Sequence, residues 1–182
     1  MLDKGKIKRL ITSLLESIGE DINREGLVRT PERYAQMCTE LFSGYNQPPS
    51  LTFFEANGFD QLIVKSGIEF FSMCEHHLLP FWGTVAIGYL PKGKIIGASK
   101  LARVVDHFSR KLQLQERMTE EIADFLMEKI NPKGVIVVVR ALHLCEAMRG
   151  VKQKESELTT SAIRGDFVNN WHLKMEFLEL IK

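Results

Sequence analysis

The sequence from Phe70 to Gly83 reads FFSMCEHHLLPFWG and places a thiol, a carboxylate and two imidazoles on consecutive positions. A second segment far downstream, ALHLCEAMRG at positions 141–150, adds a histidine and a cysteine at His143 and Cys145. Thiolate sulfur and imidazole nitrogen are the protein ligands that suit a borderline-soft cation such as zinc. The two segments together predict a metal site.

Cys74 and His77 form a Cys-x-x-His pair that can wrap one ion, and Cys145 would supply a third ligand. A catalytic zinc keeps three protein ligands and leaves the fourth position to water. The alternative is that both cysteines are small buried hydrophobic residues and that the histidines are satisfied core or surface groups. The metal site is favoured because two of the chain's three cysteines and three of its five histidines fall in these two segments.

Length and composition favour one soluble globular domain. The chain has 182 residues, of which 45% are hydrophobic and 26% charged, with a net charge of +1. This balance gives no bulk reason to expect binding to nucleic acid or to a membrane. Three cysteines are too few and odd in number for a disulfide framework, so we expect a reducing, cytoplasmic location. The apolar runs are too short for a membrane span, and the N-terminus lacks the apolar core of a signal peptide.

The N-terminal part is predicted to be helical. Apolar residues recur at helical spacing over 7–18, which predicts an amphipathic helix that ends near residue 19. Thr30 is expected to cap a second helix, with Pro31 in its first turn, and this helix should end at about Ser43. The proline-containing stretch 46–50 is typical of a linker to a part richer in strands.

After position 60 the apolar pattern becomes that of a sheet interrupted by helices. Strands are predicted over 61–65, 68–74, 84–90, 135–139 and 158–167. Helices are predicted over 100–112 with Ser99 as cap, over 122–130 with a stop at 131–134, and over 171–181. This order of elements favours the α+β class.

Several segments, in this order and spacing, closely resemble the GTP cyclohydrolase I family. They read CEHHLLPFWG, GASKLARVVD, LQLQERMTEEIADFL, HLCEAMRG and TTSAIRGDF, and the N-terminal EDINREGLVRTPERYAQMCTELFSGY is also similar. Together they cover most of the chain from about Gly19 to Phe167. Members of the family convert GTP to 7,8-dihydroneopterin triphosphate and formate, for pterin and folate biosynthesis, and the resemblance implies this activity.

The resemblance implies Zn²⁺ held by Cys74, His77 and Cys145. Zinc lowers the pKa of its bound water to about 7, so that hydroxide is available to add to C8 of guanine. His76 and His143 match family positions that transfer protons during ring opening, which suits an imidazole with an ordinary pKa of about 6.5. The alternative for each histidine is that it only orients a neighbouring ligand.

Glu116, with Gln115 beside it, matches the family position that holds the guanine ring. A carboxylate can accept hydrogen bonds from both N1–H and the exocyclic amine of guanine, a pair that adenine does not offer. Without the resemblance, a glutamate near a helix start is more simply a solvated charge. Glu75 is left open between orienting a ligand histidine and facing water.

The resemblance assigns contacts with the triphosphate or ribose to five residues, namely Arg33, Ser99, Lys100, Arg103 and Arg149. Lys100 and Arg103 share one helix face, although such a face is usually only solvated, and Ser99 would turn the helix N-terminus toward the anion. Gln36 departs from the family, in which many relatives carry a lysine, and this weakens the expected triphosphate contact. Cys38 is predicted to be a packing residue.

The resemblance also implies a tunnelling fold, in which an antiparallel sheet backed by helices closes a barrel by oligomerisation. It implies one domain over 1–182, with a helical part over 1–45 and the tunnelling-fold part over 60–182. Family members form homodecamers of two pentamers with pockets shared between subunits. The predicted strands are too few to close a barrel within one chain, which agrees with such an assembly.

Two other functions remain open from the sequence. A relative of the same fold that acts on another purine or pterin, such as an aldolase or a nitrile reductase, would not need the three-ligand set. A zinc-stapled oligomer that binds nucleotide as a sensor would normally close its metal site with four protein ligands, and the sequence offers no convincing fourth.

Overall fold

Two helices make up most of the first of two structural units. The computed structural model describes residues 2–182, and the units are Met1–Ser43 and Gly44–Lys182. Helix α1 spans Lys4–Ser17 and helix α2 spans Thr30–Leu41. Among the described residues no helix is both long enough and apolar enough to cross a membrane.

The start of α2 differs from the prediction. Arg29 is the capping residue, and Thr30 is already helical, with its hydroxyl donating back to the carbonyl of Gly26. The reason is that the preceding residues are already wound into turns, so that the N–H of Thr30 donates to the carbonyl of Leu27. Pro31 occupies the first turn as expected, since its missing N–H costs nothing there.

The second unit is built on a five-stranded sheet. Its strands are β2 (Ile63–Cys74), β3 (Pro80–Leu90), β5 (Leu112–Gln113), β6 (Gly134–His143) and β7 (Glu157–Gly165), in the order β5-β2-β3-β6-β7. Neighbours are antiparallel except β2 and β5, which are parallel. Strands β1 (Phe53–Glu55) and β4 (Lys94–Ile96) form a separate ribbon. Together with the helices, this sheet confirms the predicted α+β class.

The strands predicted over 61–65 and 68–74 are in fact one strand, β2. The register against β3 shifts between Lys65 and Ile68, and Gly67 there has a φ of +66°. Such an irregularity lets one long strand bend without breaking its pairing. The sequence pattern changes at the same place, which explains why it predicted two strands.

Four helices complete the second unit: α3 (Ala98–Ser109), α4 (Gln115–Ile130), α5 (Leu144–Ala147) and α6 (Trp171–Leu180). The predicted cap of α3 is wrong, because Gly97 occupies the cap position and Ser99 lies inside the first turn. Helix α4 begins earlier than predicted, at Gln115, and ends at Ile130, because the next residue, Asn131, has a φ of +51°.

The core lies on both faces of the sheet. One face packs against α3 and α4 through side chains such as Val85, Val137 and Ile122, all fully buried. On the other face Phe177 of α6 packs over β3 and β6, where an added Cβ at Gly88 would lie 2.6 Å from its ring. Burying such a side chain stabilises the fold by about 1.5–3 kcal/mol. The sheet is therefore a rigid base for the loops at its end.

Candidate metal centre and surrounding site

The turn between β2 and β3 presents the first half of the metal site. Residues 74–79, here called the metal loop, lie between the paired residues Met73 and Pro80. The N–H of Cys74 donates to the carbonyl of Leu79 at 2.9 Å, and the N–H of Leu78 donates to the carbonyl of Cys74 at 2.9 Å. These two hydrogen bonds close the turn and leave the histidines at its centre exposed.

The end of β6 brings the second half to the same place. His143 is the last residue of β6 and pairs with Phe81, directly after the metal loop. The ring of His143 stacks on that of Phe81, with centroids 4.5 Å apart and planes 4° from parallel. The chain then turns into α5, which carries Cys145. The register of β3 against β6 is therefore what brings the two cysteine-bearing segments together.

The three predicted ligands converge. One ligand atom from each of Cys74, His77 and Cys145 lies within 4.8 Å of the others, so this group could hold a metal ion. Burial, followed by the contact with Cys74, raises the pKa of the Cys145 thiol. An ion that binds here therefore has to displace a proton. Two sulfurs and one imidazole are a donor set that suits zinc.

His143 is held by a buried amide. Its Nε2 lies 2.8 Å from Oε1 of Gln115, whose own amide nitrogen donates to the carbonyls of Val139 and Leu158 and to the hydroxyl of Thr160. Since that nitrogen faces only acceptors, Oε1 must accept, and Nε2 of His143 must carry the proton. A neutral ring then keeps its lone pair on Nδ1, and burial lowers the pKa of His143.

Gln115, which was predicted to lie beside the guanine contact, is almost fully buried. It is 1% exposed and lies among strand backbone groups and His143. Its neighbour Glu116 is exposed at the first turn of α4. The charge of Glu116 acts on His143 and offsets part of the fall in its pKa. Glu116, unlike Gln115, is free to contact a bound molecule.

An ion pair that the sequence did not predict lies on the other side of the metal loop. Glu75 pairs with Arg117 of α4, and this contact lowers the pKa of the Glu75 carboxyl. Arg117 also donates from Nε to Oε1 of Gln113 at 3.0 Å. Arg117 stands inside the QERM segment, but no spacing rule links it to Glu75. Only the fold brings the two together.

The residues predicted to contact the triphosphate or ribose do not all lie at the metal group. Nη1 of Arg149 lies 3.4 Å from Nε2 of His77, at the metal group. Ser99, Lys100 and Arg103 lie on the first turns of α3, and across residues 2–182 none of them hydrogen-bonds with the metal group.

Three residues for which the sequence made predictions lie on α2 in the first unit. Arg33 is exposed there, and Gln36, which departs from the family, accepts a hydrogen bond of 2.8 Å from Nζ of Lys4. Cys38 is 3% exposed, which agrees with its predicted packing role. It contributes no atom to the metal group.

The fold and site define an α+β protein with a candidate metal centre of two thiols and an imidazole beside a half-buried, hydrogen-bonded histidine. A family model described as GTP cyclohydrolase I matches residues 7–182. The chain belongs to the GTP cyclohydrolase I family.

Relatives from several bacteria match over nearly their whole length. The chain is 48% identical to GTP cyclohydrolase 1 of Wolinella succinogenes, covering 98% of this chain and 97% of the relative. It is 50% identical to that of Halalkalibacterium halodurans and 49% identical to that of Caldanaerobacter subterraneus, covering 100% of this chain and 98% of each relative. Among solved structures, the apo archaeosine synthase QueF-Like has a TM-score of 0.48 and 18% identity, over 57% of this chain and 93% of that one.

Proposed function

We propose that this chain catalyses the GTP cyclohydrolase I reaction. Water adds to C8 of guanine, the imidazole ring opens, formate leaves, and the ribose is rearranged and closed into 7,8-dihydroneopterin triphosphate. The observation that carries the proposal is the convergence of Cys74, His77 and Cys145 within 4.8 Å, in a chain whose family match runs over residues 7–182. This product would serve pterin or folate biosynthesis.

Zinc is the ion that best fits this group. Three protein ligands, two of them thiols, leave one position open, as in catalytic and not structural zinc sites. When bound, zinc supplies Lewis acidity that makes hydroxide available near neutral pH. Arg149, close to His77, adds positive charge next to the ion's position and favours an anionic substrate there.

His143 and His76 are proposed to move protons. Gln115 holds the Nε2–H of His143, which leaves Nδ1 to take a proton from the attacking water and to return it later. His76 is exposed on the metal loop beside His77, with ring centroids 6.2 Å apart. We assign it the donation of a proton to N7 of guanine as the C8–N bond breaks.

Glu116 is proposed to select guanine by accepting from its N1–H and exocyclic amine. Its exposure and its electrostatic effect on His143 support a position close to the reacting ring. Five residues are proposed to contact the triphosphate or ribose, namely Arg33, Ser99, Lys100, Arg103 and Arg149. Gln36 is a neutral residue where many relatives carry a lysine, so we expect a weaker contact with the triphosphate at this position.

The chain is proposed to act as a single domain over 1–182 within a homodecamer of the tunnelling fold. The open sheet supports assembly, because its outer strands β5 and β7 each have a sheet neighbour on one side only. Closing a barrel between subunits would pair these edges and build pockets from neighbouring chains. The three cysteines are free thiols, which suits a reducing, cytoplasmic setting.

The test is incubation of the purified, zinc-loaded protein with GTP. We expect release of one formate per GTP and, after oxidation, a fluorescent pterin, with ATP as the control substrate that gives neither. Binding of GTP without formate release, by protein with its full zinc content, would favour a nucleotide sensor and overturn the proposal.

A further inference from the structure

The metal loop is fixed from outside by one arginine. Arg117 contacts the carboxylate of Glu75, which lies between Cys74 and His76 on the loop. The same guanidinium donates to the carbonyl of Leu112 at 3.1 Å and, through Nε, to Oε1 of Gln113 at 3.0 Å. Arg117 therefore joins the loop to the segment that leads into α4.

That segment is itself immobilised. Gln113 is completely buried, and its amide nitrogen donates to the carbonyl of Phe108 at 2.9 Å and to the carboxylate of Glu121 at 2.7 Å. Its own carbonyl accepts from the N–H of Glu75 at 3.1 Å. The position of Glu75 is thus set twice, once through its backbone and once through its side chain.

The rest of the loop has less support, although Nη1 of Arg149 lies 3.4 Å from Nε2 of His77. His76 and His77 are exposed, and the hydrogen bonds that close the turn join Cys74 to Leu78 and Leu79 only. Leu78 has a φ of +54°, a left-handed conformation that costs a non-glycine residue free energy. A loop of this kind needs an external contact to keep Cys74 and His77 at a fixed separation.

We infer that Arg117 is a positioning residue for the metal centre, acting through Glu75 to hold the metal loop in its ion-binding shape. This inference rests on the proposed function only in taking Cys74, His77 and Cys145 as the ligands. Arg117 and Glu75 are both partly exposed, and exposed ion pairs contribute little to global stability. The expected effect is therefore on the retention of the ion and not on the unfolding of the protein.

The experiment measures zinc release to a chromophoric chelator from four variants, Arg117→Met, Arg117→Lys, Glu75→Gln and the double variant Glu75→Gln/Arg117→Met. Residues that support metal ligands typically change metal affinity by about 10–100-fold. We expect Arg117→Met and Glu75→Gln each to release zinc roughly tenfold faster, and the double variant to be no worse than either. Arg117→Lys should recover part of the loss, because it keeps the charge but not the second donor.

Arg164→Met is the matched control. Arg164 also pairs with carboxylates of α4, those of Glu120 and Asp124, but it does not contact the metal loop. The Arg164→Met variant should release zinc at the rate of the unaltered protein. Thermal unfolding of the metal-free proteins identifies any variant that has failed to fold. If Arg117→Met fails to fold, Glu75→Gln decides, because it removes the charge that pairs with Arg117 but keeps the size of the side chain.

Three results would contradict the positioning role of Arg117, the proposed function, or both. Equal zinc release from Arg117→Met, Glu75→Gln and Arg164→Met would overturn the positioning role. Normal zinc binding without GTP turnover in the unaltered protein would overturn the proposed function alone. Absence of zinc binding in the unaltered protein would overturn both.

Discussion

The fold gives the two ring nitrogens of His143 different surroundings. Nε2 faces the buried amide of Gln115, and the ring is held flat against Phe81. A histidine that is fixed in this way loses little freedom when it takes part in proton transfer. The arrangement indicates that Gln115 fixes the orientation of His143, in addition to the predicted position beside the guanine contact.

Replacing Gln115 with methionine tests that role. The variant removes the acceptor for Nε2–H of His143 at similar side-chain volume, so kcat should fall, within the roughly 10²–10⁴-fold that acid–base catalysis contributes. The KM for GTP and the zinc content should stay close to those of the unaltered protein. Steady-state kinetics distinguish the roles, since a raised KM with unchanged kcat would restore the guanine contact expected from the sequence.

Replacing Cys145 with serine should remove most of the zinc and most of the activity. A hydroxyl is a harder and weaker zinc ligand than a thiolate, and only two of the three ligands would remain. Metal analysis of the purified variant provides the measurement. Cys38→Ser is the control, because Cys38 lies outside the metal group and should leave the zinc content unaltered. Equal zinc in the Cys145 variant would contradict the ligand assignment.

Replacing Glu116 with glutamine should leave zinc in place and reduce the preference for guanine. An amide can accept only one of the two hydrogen bonds that the carboxylate accepts from the base. We expect kcat/KM for GTP to fall by about 10-fold or more, equivalent to the loss of roughly 1.4 kcal/mol. Unchanged kinetics with GTP would show that Glu116 is only a solvated charge.

At the scale of elements, the first three residues of α4 contribute to three different parts of the site. Gln115, Glu116 and Arg117 are consecutive, and each helical residue is rotated about 100° from the previous one. The first side chain therefore points into the sheet toward His143, the second lies exposed, and the third contacts the metal loop. One turn of helix thus links the histidine proposed to transfer protons, the proposed guanine contact and the metal loop.

The close approach of β3 and β6 gives a prediction at this scale. An added Cβ at Gly83 would lie 1.9 Å from the carbonyl oxygen of Arg140, so Gly83→Ala must push the two strands apart. Such overpacking costs about 1–3 kcal/mol or more, and here it also shifts the register that brings His143 beside the metal loop. The midpoint of denaturant unfolding and the zinc content should both fall.

Gly97→Ala provides the comparison for that variant. Its added Cβ would meet only ordinary contacts, the nearest at 3.5 Å from the ring of Phe54. We expect a smaller loss of stability, limited to the poorer capping of α3 by alanine, and no loss of zinc. Equal effects of the two substitutions would show that the strand spacing at Gly83 is not critical.

For the whole molecule, the open sheet leads to a prediction about assembly. If neighbouring chains complete each pocket, co-expression of Cys145→Ser with Arg103→Met should give mixed oligomers in which some pockets carry neither change. Random mixing would restore about a quarter of the pockets. Activity measured on the mixed sample, with light scattering to compare its mass with the 20.8 kDa chain, tests this. Activity no higher than that of the separate variants would place each pocket within one chain.

Residue types and local sequence patterns were enough to predict part of this protein. Residue type predicted the three candidate ligands, because thiols and imidazoles are the groups that suit zinc. Apolar periodicity, which depends on residues close together in the chain, predicted the α+β class. The short strands β1, β4 and β5 escaped prediction, since two or three residues carry no periodic signal. Thr30 and Ser99 were wrongly expected to be caps. The chain before Thr30 is already wound into turns, and α3 begins directly after β4 with Gly97 as its cap.

Only the tertiary structure decided how the site is supported. The hydrogen bond between Gln115 and His143, and the ion pair between Arg117 and Glu75, join residues that are distant in sequence. Their meeting depends on strand register and on where α4 starts, and both are set by packing over the whole sheet. The sequence alone therefore identified the groups that would bind an ion, while long-range packing determined which side chains hold those groups in position.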